Sequence, residues 1–362
     1  MIRIGVDGRL LQGNLTGVGK YVTSLLVHII DTNPGVTVVV LTNKLICNND
    51  PRFQVIYDKP HLAKVKPMLW SRFFLGRLVN KNQIDIFFSG DGFIPFFIKV
   101  KNIISVIHDL NHLLVPETMS SLRLLTTRLF FKKDVFKASY IITNSKGTAD
   151  KLKKYINREA DLIIYPLIDE WYRVLDKEVV NKGLEKFGIR SPYILTVATQ
   201  EPRKNLVKTI EAFIALKKRD KIPFHKLLLV GSKGWKSELL QSLIDSNKDI
   251  VSMGYIDDDK IPYLYNGADL FVFPSKYEGF GMPPREALLC GTSVVVSDIP
   301  ELREATSGLG IYIDPEDKIQ FEQAIIEGLK NKKVFKGLEN SYYNNKETEQ
   351  LSVWIKNTAY IV

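Results

Sequence analysis

The string richest in chemistry is EGFGMPPREALLCGTSVVVSD, in which Glu278 and Glu286 are separated by seven residues. It follows an apolar run ending in Pro274-Ser275. The loop Gly279-Phe280-Gly281 can bring backbone N–H groups close to a ligand, because glycine has no Cβ to block approach. Pro283 and Pro284 mark the start of a helix, where a fixed φ and a missing N–H are tolerated. Gly291 reads as the C-terminal cap. This reading places Glu278 on the loop and Glu286 in the first turn of the helix. The N–H groups and helix dipole suit an anion such as a diphosphate. Two carboxylates beside an anion would repel it unless each is occupied by hydroxyl donors, and a sugar nucleotide carries hydroxyls at both ends. The plainer alternative is an acid capping a helix beside structural prolines. The joint occurrence of loop, prolines and both acids argues against it.

A second cluster is Glu201-Pro202-Arg203-Lys204-Asn205. Two cations where a helix begins are unfavourable for its dipole, and a bound diphosphate would resolve the conflict. A solvated basic turn is the alternative. Asp257-Asp258-Asp259 imitates a metal-binding cluster, but acids before an apolar-periodic run read as N-cap and first-turn residues, so no metal site is expected. Thr16-Gly17-Val18-Gly19-Lys20-Tyr21 lies between the first strand and its helix. A lone G-x-G is common in such turns, and dinucleotide binding would want a third glycine where Val22 stands. His108-Asp109 closes the strand ISVIHD, at the strand end where ligands gather, although a lone histidine is more often structural.

Positioning these groups requires strands that end beside one another. Apolar, β-branched runs suggest strands at 3–6, 36–41, 53–57, 84–88, 103–107, 140–143 and 162–165, then at 193–197, 227–230, 250–253, 270–273, 294–296 and 310–313. Most are continuously apolar, as in parallel strands covered on both faces, and the stretches between them can hold crossover helices. The fold class expected is α/β, with two Rossmann-like doubly wound domains facing a central cleft. The expected division is an N-terminal domain over 1–168, a polar connection over 169–190, a second domain over 191–345 and a C-terminal helix over 346–362 that packs back on the first domain. Ligands in such sheets bind at the carboxyl ends of the strands.

The chain has 362 residues, 45% of them hydrophobic and 25% charged, which suits a globular protein of two domains rather than a disordered one. The net charge of +10 is uneven: residues 1–170 hold 23 Lys and Arg against 14 Asp and Glu, whereas 171–362 hold 27 against 26. Such asymmetry calls for an anionic partner on the first half. KVKPMLWSRFFLGRLVNK at 64–81 and SLRLLTTRLFFKKDVFK at 121–137 mix cations with large apolar residues. Either they lie on an anionic membrane surface, or their Leu and Phe face the core. No nucleic-acid recognition module accompanies the charge. Cys47 and Cys290 form no framework, and no leader or membrane span is visible. The expectation is a cytoplasmic protein, with peripheral contact to the inner face of the plasma membrane left open.

The string around Glu278 and Glu286 resembles the E-x₇-E signature of retaining glycosyltransferases of family 4, which have the GT-B fold. Shorter matches (TNSKGTADKL, YPLID, GADLFVFPS and SVWIKNTA) extend the resemblance along the chain, with Leu167-Ile168 where the family usually has Asn-Gly. The resemblance implies that Glu286 binds the nucleotide ribose and that Glu278 contacts donor-sugar hydroxyls, helped by the loop Gly279-Phe280-Gly281. It makes Arg203 and Lys204 the diphosphate's counter-ions and sets Tyr255 and Ile256 near the base. Gly17 and Gly19 would face the diphosphate or acceptor, and His108 would touch the donor sugar near the reacting carbon. The implied reaction moves a hexosyl group, mannose favoured, from a nucleoside diphosphate sugar to a glycan or lipid-diphosphate-linked glycan in bacterial surface polysaccharide assembly. No further cofactor and no metal are implied. A sugar-nucleotide epimerase of the same architecture is the alternative. A nicotinamide dehydrogenase lacks its third glycine, and a binding protein of this form usually carries an export signal.

Overall fold

The computed structural model describes all residues except 14, 47–49, 236, 331–344 and 360–362. Cys47 and part of the expected 191–345 and 346–362 segments therefore lie outside the described residues.

All thirteen expected strands are present, and every pairing between them is parallel. In the first unit they are β1 (Ile2–Asp7), β2 (Val36–Thr42), β3 (Gln54–Tyr57), β4 (Ile86–Ser89), β5 (Asn102–Ile107), β6 (Tyr140–Thr143) and β7 (Leu162–Ile163), in spatial order β3-β2-β1-β4-β5-β6-β7. In the second they are β8 (Tyr193–Val197), β9 (Lys226–Val230), β10 (Ile250–Gly254), β11 (Leu270–Phe273), β12 (Val294–Ser297) and β13 (Ile311–Ile313), in order β10-β9-β8-β11-β12-β13. Strands such as β4, β11 and β12 are buried at every residue, because helices cover both faces; this is why they read as unbroken apolar runs.

Each sheet reverses its order once. In the first unit β1 pairs with both β2 and β4, with Val6 beside Val40 and Phe88. In the second, β8 pairs with both β9 and β11, with Leu195 beside Leu228 and Phe271. Loops leaving two neighbouring strands in opposite directions open a crevice at that point.

The first unit comprises residues 1–110 and 125–167 with the C-terminal helix Asn345–Ala359; the second comprises 111–124 and the described residues from 168 to 330. In the C-terminal helix, Leu351 and Ile355 enter the first unit's core. The segment 169–190 contains the helix Lys177–Glu185, which packs on the helix Ile261–Gly267. Among the described residues, no helix is long and apolar enough to cross a membrane.

Candidate functional site

The second unit gathers its charges at the β8/β11 reversal. After β8 the chain makes a 3₁₀ turn, Pro202–Lys204, closed by Asn205 at φ 56° before the helix Leu206–Lys218. Arg203 and Lys204 therefore precede the helix by a turn. After β11 comes the loop carrying Ser275 and Glu278. Arg203 Nη1 donates to Glu278 Oε2 at 2.8 Å and to the Tyr277 carbonyl at 2.8 Å. Its Nε and Nη2 donate to Glu201 Oε1 at 3.0 and 2.7 Å. Lys204 Nζ donates to Glu278 Oε1 at 2.6 Å and lies 4.8 Å from the Phe273 ring centroid. Ser275 Oγ donates to the same Oε1 at 2.5 Å.

The electrostatics follow from this crowding. Burial pushes the Glu278 carboxyl up, but Arg203, Lys204 and the Ser275 hydroxyl outweigh it and hold its pKa at about 2. The Lys204 ammonium is pushed down by burial first and by Arg203 second, with Glu278 opposing both. The group is an ionised carboxylate clamping two cations, with no proton to give at neutral pH. Its structure is that of an electrostatic anchor rather than of a general acid.

Glu286 stands in different company. The helix runs Met282–Leu289, so the expected placement of Glu286 in the first turn is corrected: it is the fifth helical residue. The helix starts before the prolines because Gly281, at φ 102°, turns the chain into it. Glu286 Oε2 accepts from the Tyr265 hydroxyl at 2.8 Å. Burial, then the Glu286 charge, push the phenols of Tyr265 and Tyr172 up, so both remain protonated. Burial and Glu286 also push up the Cys290 thiol, which leaves it unreactive. Phe280 is buried, and Gly291 follows the helix at φ 82° as expected of a cap.

The remaining expected residues fall elsewhere in their units. Tyr255 is 46% exposed and Ile256 buried just beyond β10. The acids 257–259 are not N-cap or first-turn residues: they form a turn before the helix Ile261–Gly267, whose N-cap is Lys260. Asp257 instead pairs with Lys260 at 2.5 Å. Among the described residues, no group of three or more His, Cys, Asp or Glu is arranged to hold a metal.

In the first unit the expected glycine loop is helix. Gly17 and Gly19 lie in the first turn of Gly17–Thr32, where the Thr16 hydroxyl accepts from Gly19 N at 3.3 Å. A Cβ on Gly19 would stand 2.5 Å from the Leu10 carbonyl, so this glycine serves close packing, while Gly17 is exposed. His108 follows β5, and its Nε2 donates to the Gly90 carbonyl at 2.7 Å. A carbonyl can only accept, so that nitrogen carries the proton and Nδ1 presents a lone pair. The ring packs edge-on against Tyr21 at 5.1 Å, and burial pulls its pKa down against the Gly90 bond and the charges of Asp109 and Asp91.

Sequence reasoning missed the charge cluster at the β1/β4 reversal. Arg9 donates from Nε to Asp7 Oδ2 at 2.8 Å and from Nη2 to Asp91 Oδ2 at 3.0 Å. Ser71 Oγ donates to Asp7 Oδ2 at 2.7 Å. This ties the loop after β1 to the loop after β4, which bears the Gly90 carbonyl that sets the His108 tautomer. The signal available was VDGR at the end of the first strand, but its partner lies 82 positions away. Ser275, Glu201 and Tyr265 were given no role although their partners Glu278, Arg203 and Glu286 lie only 3, 2 and 21 positions away, because a lone hydroxyl or acid carries no pattern of its own.

Residues 182–348 match the family model described as Glycosyl transferases group 1. The chain is 28% identical over 239 residues to O-antigen chain mannosyltransferase B of Escherichia coli, covering 64% of this chain and 62% of that protein. It is 27% identical over 220 residues to a Campylobacter jejuni enzyme named N-acetylgalactosamine-N,N'-diacetylbacillosaminyl-diphospho-undecaprenol 4-alpha-N-acetylgalactosaminyltransferase, covering 59% and 55%. The chain thus spans less than two thirds of the length of these relatives. Its fold matches the crystal structure of WaaG, a glycosyltransferase involved in lipopolysaccharide biosynthesis, with a TM-score of 0.72 at 15% identity over 98% of this chain and 99% of that one. The fold is GT-B, and the chain resembles O-antigen mannosyltransferases.

Proposed function

We propose that this protein is a glycosyltransferase that moves a hexosyl group, mannose favoured, from a nucleoside diphosphate sugar to a glycan or lipid-diphosphate-linked glycan in bacterial surface polysaccharide assembly. The observation that carries this reading is the network of Arg203, Lys204, Ser275 and Glu278 at the β8/β11 reversal. It fixes two cations beside a helix that bears a second buried carboxylate. The E. coli relative's name and the family match support the class of reaction.

In this reading the donor diphosphate lies against Arg203 and Lys204. One of the three N–H groups of Lys204 goes to Glu278 Oε1, and its ammonium can direct others at phosphate oxygens. Glu286, braced by Tyr265, accepts from the ribose diol, and Glu278 accepts from hexose hydroxyls while holding both cations in place. The bond from the anomeric carbon to the leaving phosphate oxygen breaks, and a bond to the acceptor oxygen forms on the same face, retaining configuration. The acceptor proton passes to the departing phosphate. Fixed guanidinium and ammonium charge stabilise that leaving group, a task a metal performs elsewhere. Glu278, ionised down to a pKa of about 2, has no part in proton transfer. In the first unit, His108 keeps an Nδ1 lone pair that can accept from a hydroxyl.

The test is transfer and donor binding by Arg203→Ala and Glu286→Ala. Both should lose donor affinity and transfer while keeping the wild-type circular dichroism spectrum. Retained transfer in both would remove the site from the reaction. Incubation with the nucleotide sugar alone should release no altered sugar, which separates transfer from epimerisation.

A further inference from the structure

The two buried carboxylates of the second unit are held by different chemistry. Glu278 takes two cations and a hydroxyl, whereas Glu286 Oε2 accepts from an uncharged phenol, that of Tyr265, at 2.8 Å. Tyr265 is wholly buried and Glu286 nearly so. Burial, then the Glu286 charge, raise the pKa of this phenol, so it keeps its proton and acts as the donor. A phenol gives one hydrogen, and a carboxylate has about four lone-pair sites. The bond therefore fixes the carboxylate without neutralising it. A cation in the same place would cancel its charge and compete for the diphosphate.

The tyrosine is itself held by several segments of the second unit. Its ring packs on Phe271 of β11 at 5.4 Å and edge-on to Tyr172 at 6.0 Å. Its carbonyl accepts from the Thr292 hydroxyl at 2.5 Å, and Thr292 follows Gly291 at the end of the Glu286 helix. Two hydrogen bonds running in opposite directions thus tie the helix Met282–Leu289 and its C-terminal turn to the helix Ile261–Gly267. The neighbouring Asn266 side chain accepts from Leu175 N at 2.8 Å and donates to the Arg173 carbonyl at 3.0 Å. A glutamate that grips a ligand ordinarily gives up rotamer freedom on binding; here that freedom is already lost.

We propose that Tyr265 is a positioning residue of the donor site, locking Glu286 in one rotamer so that the site discriminates nucleotides by their ribose diol. The inference rests on the donor-site reading above and adds a determinant of specificity to it. Tyr265 acts through Glu286 and needs no contact with the ligand. A diol offers two hydroxyl donors to one carboxylate. A carboxylate free to swing follows whichever hydroxyl remains, whereas a fixed one loses a bond when a hydroxyl is missing.

The experiment is calorimetric binding of GDP, UDP and their 2′-deoxyribose counterparts to wild type, Tyr265→Phe, Glu286→Ala and the double variant. The wild type should bind at least one ribonucleotide about tenfold more tightly than its deoxy form. Tyr265→Phe keeps the ring and its packing. It should reduce that ratio to about two, chiefly by weakening the ribonucleotide, and should add no further loss in the Glu286→Ala background. A residue that only supports the fold would weaken both nucleotides alike and add its loss to that of the alanine. A 3-fluorotyrosine at position 265 keeps the hydroxyl and serves if the phenylalanine variant does not fold; its fluorine resonance should shift more with the ribonucleotide than with the deoxy form. No discrimination by the wild type, an unchanged ratio in Tyr265→Phe, equal weakening of both nucleotides, an additive double variant or equal fluorine shifts would each overturn the proposal. Undiminished nucleotide binding by Glu286→Ala would instead overturn the donor-site reading, and this inference with it.

Discussion

Glu278 is satisfied by three donors at once, and that makes its acid behaviour a test of the network. Its folded pKa of about 2 lies below the ordinary carboxylate value of 4.5. The sign is therefore that of a depressed acid: its stabilisation is present above about pH 4.5 and is lost as the pH falls toward 2. The shift corresponds to about 3 kcal/mol, which Lys204 partly offsets because burial disfavours its charge. Glu278→Gln should flatten the acid limb of a urea-midpoint-versus-pH curve in that window; an unchanged limb would mean that the clamp does not act. Arg203→Ala should lower kcat/KM by roughly 10²–10³, the range seen when one donor to a developing negative charge is removed. Replacing Arg9 by Ala frees the loop bearing Gly90, and should reduce transfer while leaving nucleotide-sugar binding by the second unit near wild type. Equal losses of both would mean that Arg9 acts through general stability.

Gly281 decides where the Glu286 helix begins. Its φ of 102° is closed to residues with a Cβ, and a Cβ there would lie 2.5 Å from Leu302 Cδ2. Gly281→Ala should cost about 1–3 kcal/mol in denaturant midpoint and weaken donor binding, because Glu286 moves with the helix start. A wild-type midpoint would contradict this. The same position shows what a sequence conceals. The strands were legible because burial on both faces leaves unbroken apolar runs, as in Val294–Ser297 and Leu270–Phe273. The prolines announced the helix, but a left-handed glycine that starts it before them carries no distinct signature. Gly17-Val18-Gly19 read as a loop for a related reason, since Thr16 caps a helix that already contains both glycines. Arg203, Lys204 and Glu278 were legible as separate motifs. Their union, like that of Arg9 with Asp91, depends on which strands become neighbours, a long-range property that local pattern does not encode.

The C-terminal helix belongs to the first unit. Leu351 and Ile355 are buried in its core, Trp354 packs on Tyr140 at 4.7 Å, and Asn33 Nδ2 donates to Ser352 Oγ at 3.0 Å. Leu351→Ala should cost about 2–5 kcal/mol, the range for emptying a buried apolar site, and should lower the melting temperature without altering donor preference. The two units carry separate charge clusters, each at the reversal of its own sheet, and the second is the proposed nucleotide-sugar site. The most direct test is the melting temperature of wild-type protein, Arg203→Ala and Glu286→Ala against a panel of GDP- and UDP-sugars. The account predicts that at least one nucleotide sugar stabilises the wild type by mass action and that both variants lose the effect. Stabilisation by none of the panel, or an undiminished response in both variants, would contradict it.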